Sequence, residues 1–255
     1  MTSSPTALVT GATAGIGREF VEQLAASGHD LILVARDAAR LESVAAEVRA
    51  RHGGAVEILA ADLTDRTELA KVEARLADAD RPVDLLINNA GFGLKERFLV
   101  NDIEAEQQML DVLVVAVLRL SHAALGAMVA RRHGAIVNVS SVASFLPRGT
   151  YSAAKAWVNS FSEWAHAEYA ADGVQVMALC PGFVKTEFHQ RMEVSRDSAP
   201  GFLWLEAPAL VSEALADLDR GRRISIPSKR YRAIVRAARI VPTGLLQRAQ
   251  SLGRR

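Results

Sequence analysis

A single cysteine, Cys180, stands in a chain of 255 residues, so no internal disulfide can form. At the expected end of a strand it reads as a buried, inert thiol, and so few cysteines accord with a reducing, cytoplasmic setting. The chain opens Met1-Thr-Ser-Ser-Pro-Thr6, with no basic stretch and no apolar core behind it, so no secretory signal is expected. The longest apolar run, Val112 to Leu118, is shorter than the about 20 residues that span a bilayer. There is no H-E-x-x-H, no cysteine pair and no G-x-x-x-x-G-K-[ST], and the histidines are scattered. Metal and P-loop sites are therefore not expected. What is present is half apolar and 23% charged, with enough chain to bury a sizeable core.

Acidic residues are missing from one region. Residues 220–255 contain eleven Lys or Arg and no Asp or Glu, while the residues before them carry 19 basic against 29 acidic groups. The net charge of +1 thus joins a basic tail to an acidic body. From Lys229 to Pro242 the tail alternates basic and apolar residues at helical spacing. Ile234, Val235, Ala238 and Val241 form a stripe flanked by Arg232, Arg236 and Arg239. Two readings stay open: a helix docked on the body or on a partner subunit, and a weak contact with an anionic inner-membrane surface. No motif for nucleic acid is present.

Short apolar strands alternate with amphipathic helices. Strands are predicted at Ala7–Thr10, Leu31–Ala35, Val56–Ala60, Val83–Asn88, Ala135–Ser140, Val174–Leu179 and Arg223–Pro227. Helices are predicted at Ile16–Ser27, Ala38–Arg51, Arg66–Ala77, Ile103–Arg132, Tyr151–Ala171 and Ser212–Asp219. The alternation implies a single-domain α/β fold, a doubly wound parallel sheet with helices on both faces. Residues 183–210 break it, with Phe183, Phe188, Met192, Phe202, Leu203, Trp204 and Pro208 among polar residues. This insertion is expected to be a substrate lid, or else a loop packed on the body.

Tyr151-Ser-Ala-Ala-Lys155 puts a phenol and an ammonium one turn apart on one helix face. A phenol is a poor acid near neutral pH. A neighbouring ammonium lowers its pKa, so the pair can exchange a proton with an alcohol or ketone. Gly11, Gly15 and Gly17 follow a strand and open a helix, where backbone can approach a pyrophosphate and helical N–H groups can hold it. Thr10-Gly11-Ala-Thr-Ala-Gly15-Ile-Gly17 and the Tyr151–Lys155 pair come with Asn88-Asn89-Ala90-Gly91, Ser140-Ser141 and Pro181-Gly182-Phe183-Val184-Lys185-Thr186. Together these resemble the short-chain dehydrogenase/reductase family over roughly the first four-fifths of the chain.

The resemblance implies a Rossmann-like NAD(P)-binding catalytic domain at 1–228 and a basic helical tail at 229–255. It assigns Ser141, Tyr151 and Lys155 as the reacting set. Tyr151 would protonate a carbonyl or deprotonate an alcohol, Lys155 would lower the phenol's pKa and hold the nicotinamide ribose, and Ser141 would fix the substrate oxygen. Thr10, Gly11, Thr13, Gly15, Ile16 and Gly17 would cradle the pyrophosphate, and Asp62 and Leu63 the adenine. Asn88, Asn89, Ala90 and Gly91 would line the nicotinamide channel, and Pro181, Gly182, Val184 and Thr186 would hold the carboxamide side. After the second strand, Val34-Ala35-Arg36-Asp37 lacks the usual ribose-binding carboxylate, and Arg36 can pair with a 2′-phosphate. That favours NADP(H). NAD(H) stays open, because Thr13 and Ala14 are not the Asn or Ser and the basic residue common in NADP-preferring relatives. Asp37 could reach the ribose or cap a helix, and Asp62 could likewise cap one.

The sequence departs from the family pattern twice. Tyr151 lies 10 residues after Ser141, where relatives usually have about 13, and Ser144 is the substitute candidate. Many relatives also carry, in the long helix, an Asn holding a water that links the Lys to solvent. Here Asp111-Val112-Leu113-Val114 puts Leu113 at that place. A cofactor-binding protein with little or no turnover therefore stands beside the oxidoreductase reading. Phe92, Leu94, Phe145, Leu146, Phe183, Phe188 and Trp204 frame an apolar pocket without a basic cluster, so the expected substrate is an apolar alcohol or carbonyl compound. Relatives commonly pair through two long helices, which implies a homodimer or homotetramer.

Overall fold

The computed structural model of the chain describes residues 4–186 and 200–240. Phe188, His189 and Met192 of the expected lid, and residues 241–255 with Val241, lie outside the described residues. Among the described residues the strands are β1 Thr6–Thr10, β2 Asp30–Ala35, β3 Val56–Ala60, β4 Leu85–Asn88, β5 Gly134–Val139, β6 Val174–Leu179 and β7 Ile224–Ser225. They form one parallel sheet in the order β3-β2-β1-β4-β5-β6-β7. The helices are α1 Gly15–Ala26, α2 Ala38–His52, α3 Arg66–Ala77, α4 Ile103–Leu110, α5 Val117–Ala130, α6 Thr150–Tyr169, α7 Ala207–Asp219 and α8 Lys229–Ile240. A π-helical turn, Asp111–Ala116, joins α4 to α5.

The two-residue period of the strands sorts the apolar side chains onto two faces. Ala7, Val9, Leu31, Leu33, Leu85 and Ile87 pack with Phe20, Leu24, Leu41, Val44 and Val211 from α1, α2 and α7. Leu8, Ile32, Val34, Leu86 and Ile136 pack on the other side with Leu69, Val72, Leu120 and Ala124 from α3 and α5. Both faces are covered, as a parallel sheet with near-continuous apolar strands requires. From β1 the chain steps outward to β3, then crosses back to lay β4 on the other side of β1. That reversal opens a crevice beyond the carboxyl ends of β1 and β4, where sheets of this kind take ligands.

Three local expectations change. The long helix is one rod of 28 residues, Ile103–Ala130, long and apolar enough by length and composition to cross a bilayer, although its longest uninterrupted apolar run is short. Its Ala116, Leu120, Ala124 and Met128 lie instead in the core against the sheet. Helix α7 begins at Ala207 rather than Ser212, because Pro208 sits in the first turn, where no N–H partner is needed. The irregular segment expected over 183–210 is shorter to that extent, and Val184 pairs with Leu205 in a parallel bridge. Helix α8 lies on the body with Tyr231 and Val235 buried and Ile234 exposed, so its inward line is turned from the expected stripe. The Tyr231 hydroxyl accepts from the Phe183 amide at 3.0 Å and donates to the Leu203 carbonyl at 2.7 Å.

Candidate active site

On the β1 side of the crevice, backbone geometry dominates. Gly11 and Gly15 adopt φ of +66° and +56°, which side chains rarely tolerate. A Cβ on Gly17 would stand 2.3 Å from the Gly11 carbonyl oxygen, so only glycine lets α1 start this close to the loop. Helices α2, α3 and α4 begin with aspartate caps. Asp37 accepts from the Arg40 amide, Asp65 from those of Thr67 and Glu68, and Asp102 from that of Glu104. Helix α1 begins behind Ala14, with no side-chain cap and no acid in its first turn. Its leading N–H groups therefore fit an anionic pyrophosphate. Thr186 reaches this loop, its Cβ 3.1 Å from where a Cβ on Gly15 would lie.

Thr10 and Asn89 stitch the ends of β1 and β4 together. The Thr10 hydroxyl accepts from the Asn89 and Ala90 amides at 2.9 and 3.0 Å, and Asn89 Nδ2 donates to the Thr10 carbonyl at 2.9 Å. Both side chains shape the crevice from behind. Leu63 is buried in the core on one face of the sheet, and Ile16 packs against the core on the other. Asp37 is a helix cap, and Asp62 receives the Thr64 amide and hydroxyl. Arg36 extends from the end of β2, 76% exposed, and stands 4.0 Å from the Asp62 carboxylate.

On the β5–β6 side, side chains dominate. Tyr151 and Lys155 lie in the first turns of α6. Ser141 begins a tight turn, Val142–Phe145, and its Oγ accepts from the Ala143 amide at 3.1 Å while hydrogen-bonding the Tyr151 hydroxyl. Ser144 faces elsewhere: its hydroxyl donates to the Ser141 carbonyl at 2.6 Å and accepts from Asn159 Nδ2 at 2.7 Å. Ser141, and not Ser144, therefore meets the phenol despite the short connection.

Lys155 is buried, with Nζ donating to the Val139 carbonyl at 2.7 Å and lying 5.8 Å from the Tyr151 ring centroid. Burial pushes the Tyr151 phenol up to about 12, against the opposing pull of the Ser141 hydrogen bond. Burial also lowers Lys155 to about 8. The expected lowering of the phenol by Lys155 is thus not what the protein's own groups produce. The ammonium is bonded to Val139 and sits over the ring, and desolvation outweighs it. Tyr151 is held as a protonated acid, while Lys155 is poised to gain or lose a proton slightly above neutral pH.

The floor is apolar. Leu113, at the centre of the π-helical turn, is fully buried and clusters with Met109, Ala154, Phe92, Leu94 and Tyr151. A Cβ on Gly91 would lie 2.8 Å from Leu113 Cδ2 and 3.9 Å from Lys155 Nζ, so Gly91 lets the β4 loop close over both. Pro181 is buried, and Gly182 lies beneath the Tyr231 ring. Phe183 and Trp204 pack with ring centroids 5.4 Å apart. Two contributors were not anticipated. Asn159 continues the Tyr151–Lys155 spacing by one more turn, a signal that was visible. Tyr231 lay in a segment set aside as a tail.

Residues 5–197 match the family described as short chain dehydrogenase. A short-chain dehydrogenase from Sphingobium yanoikuyae, solved in complex with NADPH, is 37% identical, with a TM-score of 0.85 over 95% of each chain. The bulky-bulky ketone specific alcohol dehydrogenase from Comamonas testosteroni is 31% identical, with a TM-score of 0.81, covering 96% of this chain and 95% of that one. Galactitol 2-dehydrogenase (L-tagatose-forming) from Cereibacter sphaeroides is 38% identical over 73% of this chain and 74% of its own length. Several curated relatives are longer, and the match spans 60–63% of their length. With the family match running from the start of β1 beyond α6 and β6, the chain belongs to the short-chain dehydrogenase family of oxidoreductases.

Proposed function

We propose that the protein is an NADP(H)-dependent oxidoreductase that moves a hydride between nicotinamide and an apolar alcohol or carbonyl compound, with Tyr151 as the general acid and base. The observation that carries this reading is the contact between Ser141 and Tyr151, one turn from Lys155, in the crevice that also receives the uncapped start of α1. Gly11, Thr13, Gly15 and Gly17 would hold the pyrophosphate, and Asp62 with the Leu63 backbone the adenine. Asn89, Ala90 and Gly91 would flank the nicotinamide, with Pro181, Gly182, Val184 and Thr186 opposite. Arg36, largely exposed and in long contact with Asp62 at 4.0 Å, suits a 2′-phosphate. When bound, NADP(H) supplies or takes up the hydride.

In reduction, Tyr151 gives its proton to the carbonyl oxygen that Ser141 orients. A phenol held near 12 is a stored proton at neutral pH, so the protonated form needed for reduction is always present. Oxidation needs the phenolate, and its rate should climb with pH. Lys155, near 8, can return a proton to the spent phenolate. Leu113, fully buried at the place of the usual water-holding Asn, favours a second reading: a cofactor-binding protein with little turnover. The apolar floor and the Phe183–Trp204 pair support a bulky ketone better than a polyol. A second copy is the proposed partner. Across the long rod and α6, Leu118 and Trp164 stay exposed, and Trp157 stacks on Phe161 at 5.1 Å. We read 1–228 as the catalytic domain and 229–255 as a basic extension whose Tyr231 braces the site wall.

The test is a fluorescence titration with NADPH and NADH, followed by a bulky ketone assay. The reading expects NADPH to bind at least about tenfold more tightly, near 1.4 kcal/mol, and to be consumed with the ketone. Tighter NADH binding would overturn the role of Arg36. Tight NADPH binding without turnover across aryl, alkyl and steroid-like ketones would favour the second reading.

A further inference from the structure

Beneath the reacting groups runs a buried chain of hydrogen bonds that the reaction itself does not require. Asn159 lies one turn beyond Lys155 on α6, so Tyr151, Lys155 and Asn159 occupy successive turns of one face. Asn159 is 7% exposed, and its Nδ2 donates to Ser144 Oγ at 2.7 Å. Ser144 Oγ in turn donates to the Ser141 carbonyl at 2.6 Å, and the Ser144 amide donates to the same oxygen at 3.1 Å. At the other end, Cys180 Sγ donates to Asn159 Oδ1 at 3.3 Å. The Ser144 hydroxyl gives its hydrogen to Ser141, so Asn159 must present its amide nitrogen to Ser144 and its oxygen to Cys180. Burial keeps the thiol protonated by pushing it up to about 12.

We propose that Asn159 is a positioning residue for proton transfer: through Ser144 it fixes the backbone of Ser141, and so the hydrogen bond between Ser141 and Tyr151. The proposal rests on the reading of Ser141 and Tyr151 as reacting groups. Its motive is the connection between them. Tyr151 follows Ser141 by only 10 positions, and a single tight turn, Val142–Phe145, begins at the serine. Among the links from that turn to neighbouring elements are two hydrogen bonds, the Val142 amide donating to the Pro181 carbonyl at 2.9 Å and the Asn159–Ser144 link. Of the two, the second bears on the Ser141 peptide itself. Because the Ser141 hydroxyl already accepts the Ala143 amide, its own hydrogen is left for Tyr151 or for a substrate oxygen, and the angle of that donation depends on how the peptide is held.

The test compares Asn159→Leu, Ser144→Ala and Ser144→Thr with the parent, all checked first for NADPH affinity. Asn159→Leu and Ser144→Ala should each lower kcat by about tenfold to a hundredfold, with NADPH affinity and substrate KM within about twofold. Both should move the rise of alcohol oxidation to higher pH, because Ser141 no longer holds down the phenol's pKa. Ser144→Thr, which keeps the hydroxyl, should restore the parent's rate and profile. In a Ser141→Ala background, adding Asn159→Leu should change nothing further. A further loss there as large as in the parent would overturn the proposal, since the effect would not pass through Ser141. Unchanged kcat and pH profile in Ser144→Ala would overturn it also, even if Asn159→Leu failed to fold. If Tyr151→Phe and Ser141→Ala both kept the parent's rate, the underlying assignment would be wrong, a different result from either.

Discussion

The two sides of the crevice are built from different materials. Around β1 and β4, shape comes from glycines, from main-chain N–H groups and from Thr10 and Asn89 tied to each other's loops. Around β5 and β6, it comes from side chains wired in sequence, Ser141 to Tyr151, Lys155 to Val139, Cys180 to Asn159 to Ser144. The first side has little to titrate; the second contains a phenol held near 12 and an amine held near 8. Substitutions on the first side should therefore change affinity, and on the second side rate and pH dependence.

The largest expected effect is on the side-chain half. Tyr151→Phe removes the acid and keeps the ring, so turnover should fall about 10²- to 10⁴-fold while NADPH binding is retained, as a paired titration and rate assay will show. Gly17→Ala probes the backbone half. Its Cβ would meet the Gly11 carbonyl at 2.3 Å, so NADPH affinity should drop by more than about tenfold and melting temperature should fall, overpacking costing about 1–3 kcal/mol. A changed pH profile with unchanged affinity in that variant would erase the contrast between the halves. Arg36→Ala should reduce the preference for NADPH over NADH by about tenfold, or 1.4 kcal/mol, and leave kcat at saturating cofactor alone.

The smallest effect concerns stability. Lys155 falls from an ordinary 10.5 to about 8 on folding, so above pH 8 the unfolded chain binds more protons than the folded one. The parent's stability relative to Lys155→Met should then rise from pH 8 towards 10, read as a growing difference in melting temperature. A flat or falling difference would mean that the amine is not desolvated as its burial implies.

Much of this was legible in the residues. The alternation of strands and helices, the glycine loop and the Tyr151–Lys155 pair announce themselves through period, spacing and flanking elements. Apolar strands such as Leu31–Ala35 can only be central in a covered sheet. What stayed hidden depended on three-dimensional competition. The direction of the Tyr151 shift follows from burial against a hydrogen bond, and no spacing rule weighs those two. That the Ser144 hydroxyl is consumed within the tight turn could not be read from its spacing. Tyr231 was hidden because a run of arginines dominates its segment, while one aromatic anchors it beneath Phe183 and Leu203. Helix α7 was cut short by reading Pro208 as a loop residue when it belongs to a first helical turn.

On the proposed function, this crevice turns over and does not merely bind. The direct measurement is transfer of deuterium from NADPH labelled at the nicotinamide C4 to a bulky ketone, followed by mass spectrometry of the alcohol. One deuterium per alcohol formed is expected, from NADPH labelled on the hydride face the site selects, with the yield of labelled alcohol lowered about 10²- to 10⁴-fold in Tyr151→Phe. Tight NADPH binding with no labelled alcohol, across the same panel of ketones, would contradict it and leave a cofactor-binding protein whose Leu113 closes the proton path.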